Sequence, residues 1–180
     1  MKNHQVNKAI VFASVCMLMT ITMFAQQNPP ASPPATATGK IGEATITINY
    51  SSPSVKGRNV WDPNGTLAHY GKAWRAGANQ ATTFETDKAI TVEGKPLPAG
   101  KYSLYAIPNE KEWVWVFNSK IPDWGIERGG VVKNDPAADV LKVTIKPVKS
   151  ATMNERLVYE ITSKGFSLKW ENVEAPVSIK

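Results

Sequence analysis

The stretch Trp74-Arg75-Ala76-Gly77-Ala78-Asn79 concentrates the chemistry of this sequence. Arginine presents a planar fork that matches carboxylate, phosphate or vicinal hydroxyls. Asparagine adds one acceptor and two donors, and a neighbouring indole face stacks on a sugar ring. A pocket built from these groups would hold a small polar ligand, such as a saccharide. The competing reading is architectural. Arg75 and Asn79 would tie a long loop to the body by satisfying buried carbonyls and amides, and Gly77 would only permit a tight turn. Lys56 and Arg58 admit the same two readings, with the solvated surface favoured.

Catalytic constellations are sparse. Beyond residue 25 the sequence holds no Cys and a single His, His69. A lone His in a loop serves more often as a surface or capping residue than as a ligand. Zinc needs three or four N, S or O ligands, so no metal and no cofactor is expected. Asp62-Pro63-Asn64-Gly65 begins like a calcium loop, but the later ligands are missing at their offsets. A plain turn accounts for it. There is no Gly-x-Ser-x-Gly, and no Ser is singled out as a partner for His69. A glycosidase needs only two carboxylates at the right separation, and Glu85, Asp87, Asp123, Glu127 and Asp139 are the candidates. Glu85 and Asp87 lie two apart on a strand and share a face, which a solvated face also explains. Gly129-Gly130 lacks the strand–loop–helix setting of a phosphate-binding loop.

The elements that must position these residues alternate with a period of two. Ala44, Ile46, Ile48 and Tyr50 share one face and Thr45, Thr47 and Asn49 the other, the pattern of a half-buried strand. Leu141, Val143 and Ile145 repeat it, as do Leu157, Tyr159 and Ile161, then Phe166, Leu168 and Trp170. Val173, Ala175, Val177 and Ile179 form a last strand, and Pro176 on its opposite face assigns it to an edge, because proline cannot donate to a ladder. Trp113-Val114-Trp115-Val116-Phe117 is apolar on both faces and suits a central strand covered on each side. Pro108-Asn109-Glu110-Lys111 reads as a hairpin loop, Glu93-Gly94 and Pro98-Ala99-Gly100 as turns, and Ser163-Lys164-Gly165 as the close of a late hairpin. No window keeps a helical period for three turns. The fold class expected is all-β: an antiparallel β-sandwich, jelly-roll-like or Ig-like, of about eight or nine strands with one long irregular loop. That loop spans 50–87, where alternation fails. Within it, four Lys/Arg against one Asp fall between Lys56 and Arg75. A loop this long in a compact domain is either functional or disordered, and Trp61, Tyr70 and Trp74 argue against disorder.

Length and charge set the outer frame. The 180 residues, 42% hydrophobic and 20% charged, fit one globular domain. Residues 1–25 read as a secretory signal: Lys2 and Lys8, an uncharged apolar run over 9–25, and a cut after Ala25. The run carries Ser14, Thr20 and Thr22 and is shorter than the ~20 apolar residues a span needs. An exported protein, periplasmic or extracellular, with no membrane span after cleavage is therefore expected. Cys16 lies inside the run rather than at its end, which argues against a lipid anchor. Loss of Lys2 and Lys8 takes the net charge from +6 to +4, and no Lys/Arg block exceeds two residues, so no nucleic-acid partner is expected. Residues 26–40, with Pro29, Pro30, Pro33 and Pro34, read as a Pro-rich disordered spacer dispensable for folding. A single sandwich domain is assigned to 41–180.

The sequence resembles the DUF2911 family of bacterial secreted proteins, whose function is unassigned. The resemblance covers about 46–179. It rests on Tyr50-x-x-Pro53-Ser54-x-Lys56-Gly57-Arg58, Tyr70-Gly71-Lys72-x-Trp74-Arg75-x-Gly77-Ala78-Asn79, Leu97-Pro98-Ala99-Gly100-x-Tyr102-x-Leu104, Trp124-Gly125 and Asp139-Val140-Leu141. The segment 126–132 departs from the pattern, where an aromatic in a shorter loop is expected. The resemblance implies an envelope location and a β-rich fold, and no activity. The matched motifs and the chemistry above together give Tyr50, Arg58, Tyr70, Trp74, Arg75, Asn79 and Trp124 as candidate ligand-binding residues. The expected function is a non-catalytic envelope protein that holds a small polar ligand or glycan. One alternative is a carboxylate-dependent hydrolase, which requires a carboxylate pair within ~5–10 Å in one cleft. The other is a structural or interaction module of the envelope that adds its 173–179 edge strand to another sheet.

Overall fold

In the computed structural model, which describes residues 29–64, 67–127 and 132–180, alternation in the sequence becomes pleat in the backbone. Eight strands have four or more residues: β1 (Pro34–Ile41), β2 (Ala44–Ser51), β5 (Thr83–Thr86), β8 (Gly100–Ile107), β9 (Trp113–Asn118), β10 (Asp139–Ile145), β11 (Val148–Thr162) and β12 (Gly165–Ser178). Four shorter ones lie between them: β3 (Trp61–Asp62), β4 (Ala68–His69), β6 (Ile90–Val92) and β7 (Lys95–Leu97). The one helical turn among the described residues is the 3₁₀ turn Pro136–Ala138, and no helix of the described residues is long and apolar enough to cross a membrane.

Six strands form one antiparallel sheet in the order β1-β2-β5-β8-β9-β10, and β11 and β12 form a long hairpin of their own. The inner face of the sheet carries Ile46, Ile48, Phe84, Leu104, Trp113, Trp115, Phe117 and Val143, all within 1% of full burial. The hairpin lays Tyr159, Phe166, Leu168 and Trp170 onto that face. Phe166 meets Phe84 at 5.8 Å and Trp115 at 5.5 Å between ring centroids. The result is an all-β, antiparallel sandwich whose two layers share one aromatic core. β9 occupies an interior position and is covered on both sides: Trp113, Trp115 and Phe117 face the core, and Val116 faces a smaller outer cluster with Tyr105 and Val132.

Three features depart from expectation. First, Pro34–Ile41 is not spacer but the edge strand β1, paired along its whole length with β2. Its odd residues Ala35 and Ala37 pack on the core, Ile41 is buried, and Gly39 lies so close to Ile161 that a Cβ there would come within 2.9 Å. Small residues and threonines suffice for this strand because one face needs only to lie flat against β11, while Thr36 and Thr38 bond across to Asn49 and Thr47 on the other. A chain cut at Lys40 would lose this ladder. The signal segment 1–25 and residues 26–28 lie outside the described residues.

Second, Gly165–Ser178 is one strand rather than two. Burial falls on Phe166, Leu168 and Trp170, then on Ala175, Val177 and Ile179. The phase slips by one residue at Glu171, whose φ of 54° is left-handed and whose partner Asn154 marks the register shift on β11. From Lys149↔Val173 to Val158↔Lys169 β11 is the longer strand, so the extra residues bulge from β11, and the slip at Glu171 turns the next side chains of β12 to the other face. The Asn154 amide holds it by donating to the Glu171 carbonyl at 3.3 Å and to Ser150 Oγ at 2.9 Å. Third, the end of β12 is not a free edge. Ser178 and Lys180 exchange backbone hydrogen bonds with Thr91 and Glu93 at 2.7–3.0 Å.

Candidate functional site

The irregular excursion that follows β2 is pinned to the sandwich by its backbone before any side chain acts. Trp74 and Ala106 of β8 exchange both hydrogen bonds, at 2.7 and 2.9 Å, and the Gly71 amide donates to Pro108 at 2.8 Å. The Ala78 amide returns to Ser51 at 3.2 Å. The carbonyl of Ala76 accepts from the buried hydroxyls of Tyr159 at 2.8 Å and Thr82 at 3.2 Å. In the Trp74–Asn79 stretch the strained conformations sit at Ala76 and Asn79, with φ of 53° and 57°. Asn tolerates the left-handed region several-fold better than most residues. Gly77 serves a different purpose from the turn expected of it: a Cβ there would lie 2.7 Å from Thr82 Oγ1 and 3.3 Å from the Ser51 carbonyl. Glycine is needed because the loop presses directly on β2.

This anchoring divides the candidate residues. Arg58, Trp74, Arg75 and Asn79 line one cleft of about 680 Å³, together with His69, Lys72, Asn134 and Trp170. Tyr50 does not reach it. Its ring is buried edge-on to Tyr159 at 4.9 Å, and its hydroxyl accepts the Tyr159 amide at 3.3 Å. Desolvation pushes its phenol up, slightly offset by that bond. Tyr70 lines a separate hollow of about 230 Å³ with Trp61, Asn109 and Trp113. Trp124 is 48% exposed and points to neither.

Trp74 is a core residue that shows only an edge to the cleft. It is 7% exposed, stacks on Trp170 at 5.9 Å and 14°, and meets Trp61 edge-on at 5.4 Å. Trp61 in turn contacts Trp113 at 4.8 Å and donates its indole N–H to the Trp170 carbonyl at 3.3 Å. Four indoles thus fill the space under the excursion, and a Trp74 face is not free to stack on a sugar ring. Asn79 is likewise architectural: its amide donates to the Ser32 carbonyl at 3.1 Å, just ahead of β1. Arg58 folds back on its own turn, donating to Val55 at 3.0 Å and Ser54 at 2.6 Å.

Arg75 differs from these. Its Nε donates to the Gly77 carbonyl at 3.2 Å, and among the described residues its guanidinium has no other hydrogen bond and no ion pair. Half-buried, it has its pKa lowered by desolvation alone. Gly125 clamps it, since a Cβ there would lie 2.6 Å from Arg75 Cδ, 3.1 Å from its Cβ and 3.2 Å from the Gln80 carbonyl. Gly125 is itself held by its N–H to Asn79 O and its carbonyl to the Lys133 amide, both at 3.1 Å. Of Trp124-Gly125 it is therefore the glycine that packs against a cleft residue.

A buried polar network, not anticipated from the sequence, supports the far wall. The register sets Asn118 of β9 opposite both Ser103 and Asp139. Asp139 Oδ1 accepts from Tyr105 Oη and Asn118 Nδ2, each at 2.7 Å, and the Lys142 ammonium lies 2.8 Å from Oδ2. That last contact is electrostatic rather than a well-aligned hydrogen bond, since Oδ2 otherwise finds no donor. Asn134, which lines the cleft, donates to Tyr105 Oη at 3.1 Å. Burial pushes the Asp139 carboxyl up, but Lys142, Tyr105 and Asn118 together outweigh it and hold the carboxyl below the usual aspartate range. Burial, then the Asp139 hydrogen bond, drives the Tyr105 phenol well above its ordinary value. Tyr105 and Asn118 look like ordinary strand residues in sequence. Only their pairing with Asp139 marks them.

The family model of a protein of unknown function (DUF2911) matches residues 32–179. The chain belongs to this family. No curated protein and no solved structure matches it. In this DUF2911 chain the match starts at Ser32, the residue whose carbonyl takes the Asn79 amide, so the family unit includes β1 as well as the sandwich behind it. Other expected chemistry disperses. Glu85 is exposed, 3.7 Å from Lys101, and Asp87 accepts the Thr45 amide at 2.7 Å. Asp62 accepts the Asn64 amide at 2.6 Å, as a turn requires. No three His, Cys, Asp or Glu side chains converge as a metal cage among the described residues.

Proposed function

We propose that this is an exported binding protein that holds a small polar ligand, such as a saccharide, in the cleft beside Arg75. The observation that carries the reading is Arg75, its stem packed by Gly125 on a cleft of about 680 Å³ and most of its guanidinium donors uncommitted among the described residues. That volume lies within the roughly 300–1,000 Å³ of ordinary ligand sites. The Gly77 carbonyl on Nε and Gly125 against the stem restrict the Arg75 side chain before any ligand arrives, which lowers the ordering cost of binding. Trp74 and Trp170 contribute an apolar floor rather than a stacking platform.

The hydrolase alternative finds no support at this cleft, whose described lining includes no Asp or Glu to serve as acid, base or nucleophile. Glu93 and Glu174 do share a groove of about 540 Å³ near the β11–β12 turn. Glu93 is spent on the Ser178 amide at 2.5 Å, however, and Glu174 faces Lys169 at 3.9 Å. The interaction-module alternative loses its proposed edge where β12 pairs with Thr91–Glu93.

A glycan and metabolite array read with wild type and Arg75→Ala tests the proposal. Binding that disappears in Arg75→Ala, with the near-UV tryptophan spectrum intact, supports it. Absence of any binder across a broad panel overturns it. Export is tested separately by fractionating cells and sequencing the N-terminus of the mature protein, expected at Gln26.

A further inference from the structure

We infer that the group this cleft recognises is an anion, a carboxylate or phosphate on a sugar-sized molecule, seated on Arg75. The inference rests on the cleft being a ligand site, and it names the chemical class. The decisive feature is charge without compensation. Arg58, Lys72 and Arg75 line the cleft with His69, and none of the chain's 15 carboxylates does. All 15 lie within the described residues, so no carboxylate is left in the remainder of the chain to neutralise the site.

Of the five acids nearest the lining in sequence, Asp62, Asp135 and Asp139 are engaged elsewhere, and Glu127 and Glu171 do not line the cleft. Asp62 caps its own turn through Asn59 and the Asn64 amide. Asp135, beside Asn134, pairs with Lys120 at 2.5 Å and takes the Ala137 amide at 3.0 Å. Asp139 takes Tyr105 and Asn118 on Oδ1 and faces the Lys142 ammonium with Oδ2. Glu171 follows Trp170 but sits at the bulge, and burial raises its pKa rather than a nearby cation lowering it. Glu127 follows Ile126, is exposed, and makes no ion pair among the described residues.

A half-buried cation left without a partner is costly, and proteins ordinarily pair such charges. Arg75 shows that cost as a pKa lowered by desolvation. The planar fork of a guanidinium suits the two oxygens of a carboxylate or phosphate. An incoming anion would supply the missing countercharge, and the bond would be strengthened by the same desolvation. A neutral sugar would use the cleft's volume but leave the charge uncompensated. Leu67, Ile126 and Val132 provide apolar contact for a carbon skeleton, which favours a small organic anion over a bare ion.

The test uses the purified protein and matched probes that differ in one group: glucose, glucuronate, glucose 6-phosphate and inorganic phosphate. The ¹⁵N signal of Arg75 Nε and the indole signals of Trp74 and Trp170 follow the titration. The charged sugars are expected to saturate the Arg75 signal with affinity at least about tenfold above glucose. That advantage should shrink between about 0.05 and about 0.5 M salt. Arg75→Gln should erase the preference, and Arg75→Lys should keep part of it. Comparable binding by inorganic phosphate would assign the specificity to the anion alone, and weaker binding would add the sugar body. Glucose binding as tightly as glucuronate in wild type overturns the anion inference while the cleft remains a ligand site. If neither charged nor neutral probes move any of the three signals, both fail.

Discussion

Indoles and cations of the same excursion meet opposite fates. Trp61 and Trp74 turn inward and are 7% exposed each, locked with Trp113 and Trp170 into one cluster. Lys72 and Arg75 turn outward onto the cleft, which Arg58 also lines while bonded to its own turn. In the sequence the two kinds of residue are interleaved and look like one composite site. The structure separates them because an indole gains its full transfer free energy only when buried, whereas a guanidinium loses solvation there. The inner side is therefore architecture and the outer side chemistry, and Gly125 is where they meet.

The largest predicted effect breaks the inner side. Trp74→Ala should cost about 3–5 kcal/mol and appear as a drop in denaturation midpoint with unchanged slope. Arg75→Gln should stay under about 1 kcal/mol and act on binding alone. Equal losses of stability from the two would erase the distinction.

Truncation to Lys40 follows in size. Loss of β1 removes its ladder with β2 and the contacts of Ala35 and Ala37. A decrease of about 3 kcal/mol, or roughly 10 °C in Tm, is expected. A melting temperature unchanged by this cut would restore the spacer reading.

Asp139→Ala comes next, at about 2–4 kcal/mol at neutral pH, because Tyr105 and Asn118 lose their shared acceptor. The pH dependence follows from the sign of its shift. The folded carboxyl lies below its unfolded value, so its contribution is present above about pH 4 and fades as pH falls through the folded pKa. Acid denaturation curves of wild type and variant should therefore converge at low pH. Parallel curves would show that Asp139 does not hold this charge.

The last packing change bears most directly on the comparison. Gly125→Ala should cost about 1–3 kcal/mol and shift Arg75 in its cleft. Binding of the charged probes should weaken more than stability does. A variant with wild-type affinity would mean that the clamp does not position the guanidinium.

Much of the sandwich was legible because period-two patterning reports directly on which face is buried. Ile46 and Ile48, the apolar run of β9, and the turn at 163–164 all sit where alternation and turn chemistry place them. β1 was missed because its proline-, alanine- and threonine-rich residues have the composition of a linker. Their order comes from the free edge of β2, not from their own propensity. The two halves of β12 were read as separate strands because a bulge looks, in sequence, like an ending.

Of the candidate site, the sequence alone determined the inventory: one segment rich in Trp and Arg, no Cys beyond residue 25, and one His there. Residue types are fixed by the chain, and so is the chemistry each can perform. Tertiary structure decided which of them keep solvent access. It buried Tyr50 and Trp74, spent Asn79 on Ser32, folded Arg58 onto its own turn, and left Arg75 facing the cleft with donors uncommitted among the described residues. That outcome depends on partners distant in the chain, such as Gly125 and Ala106, whose proximity exists only after the sheet has formed.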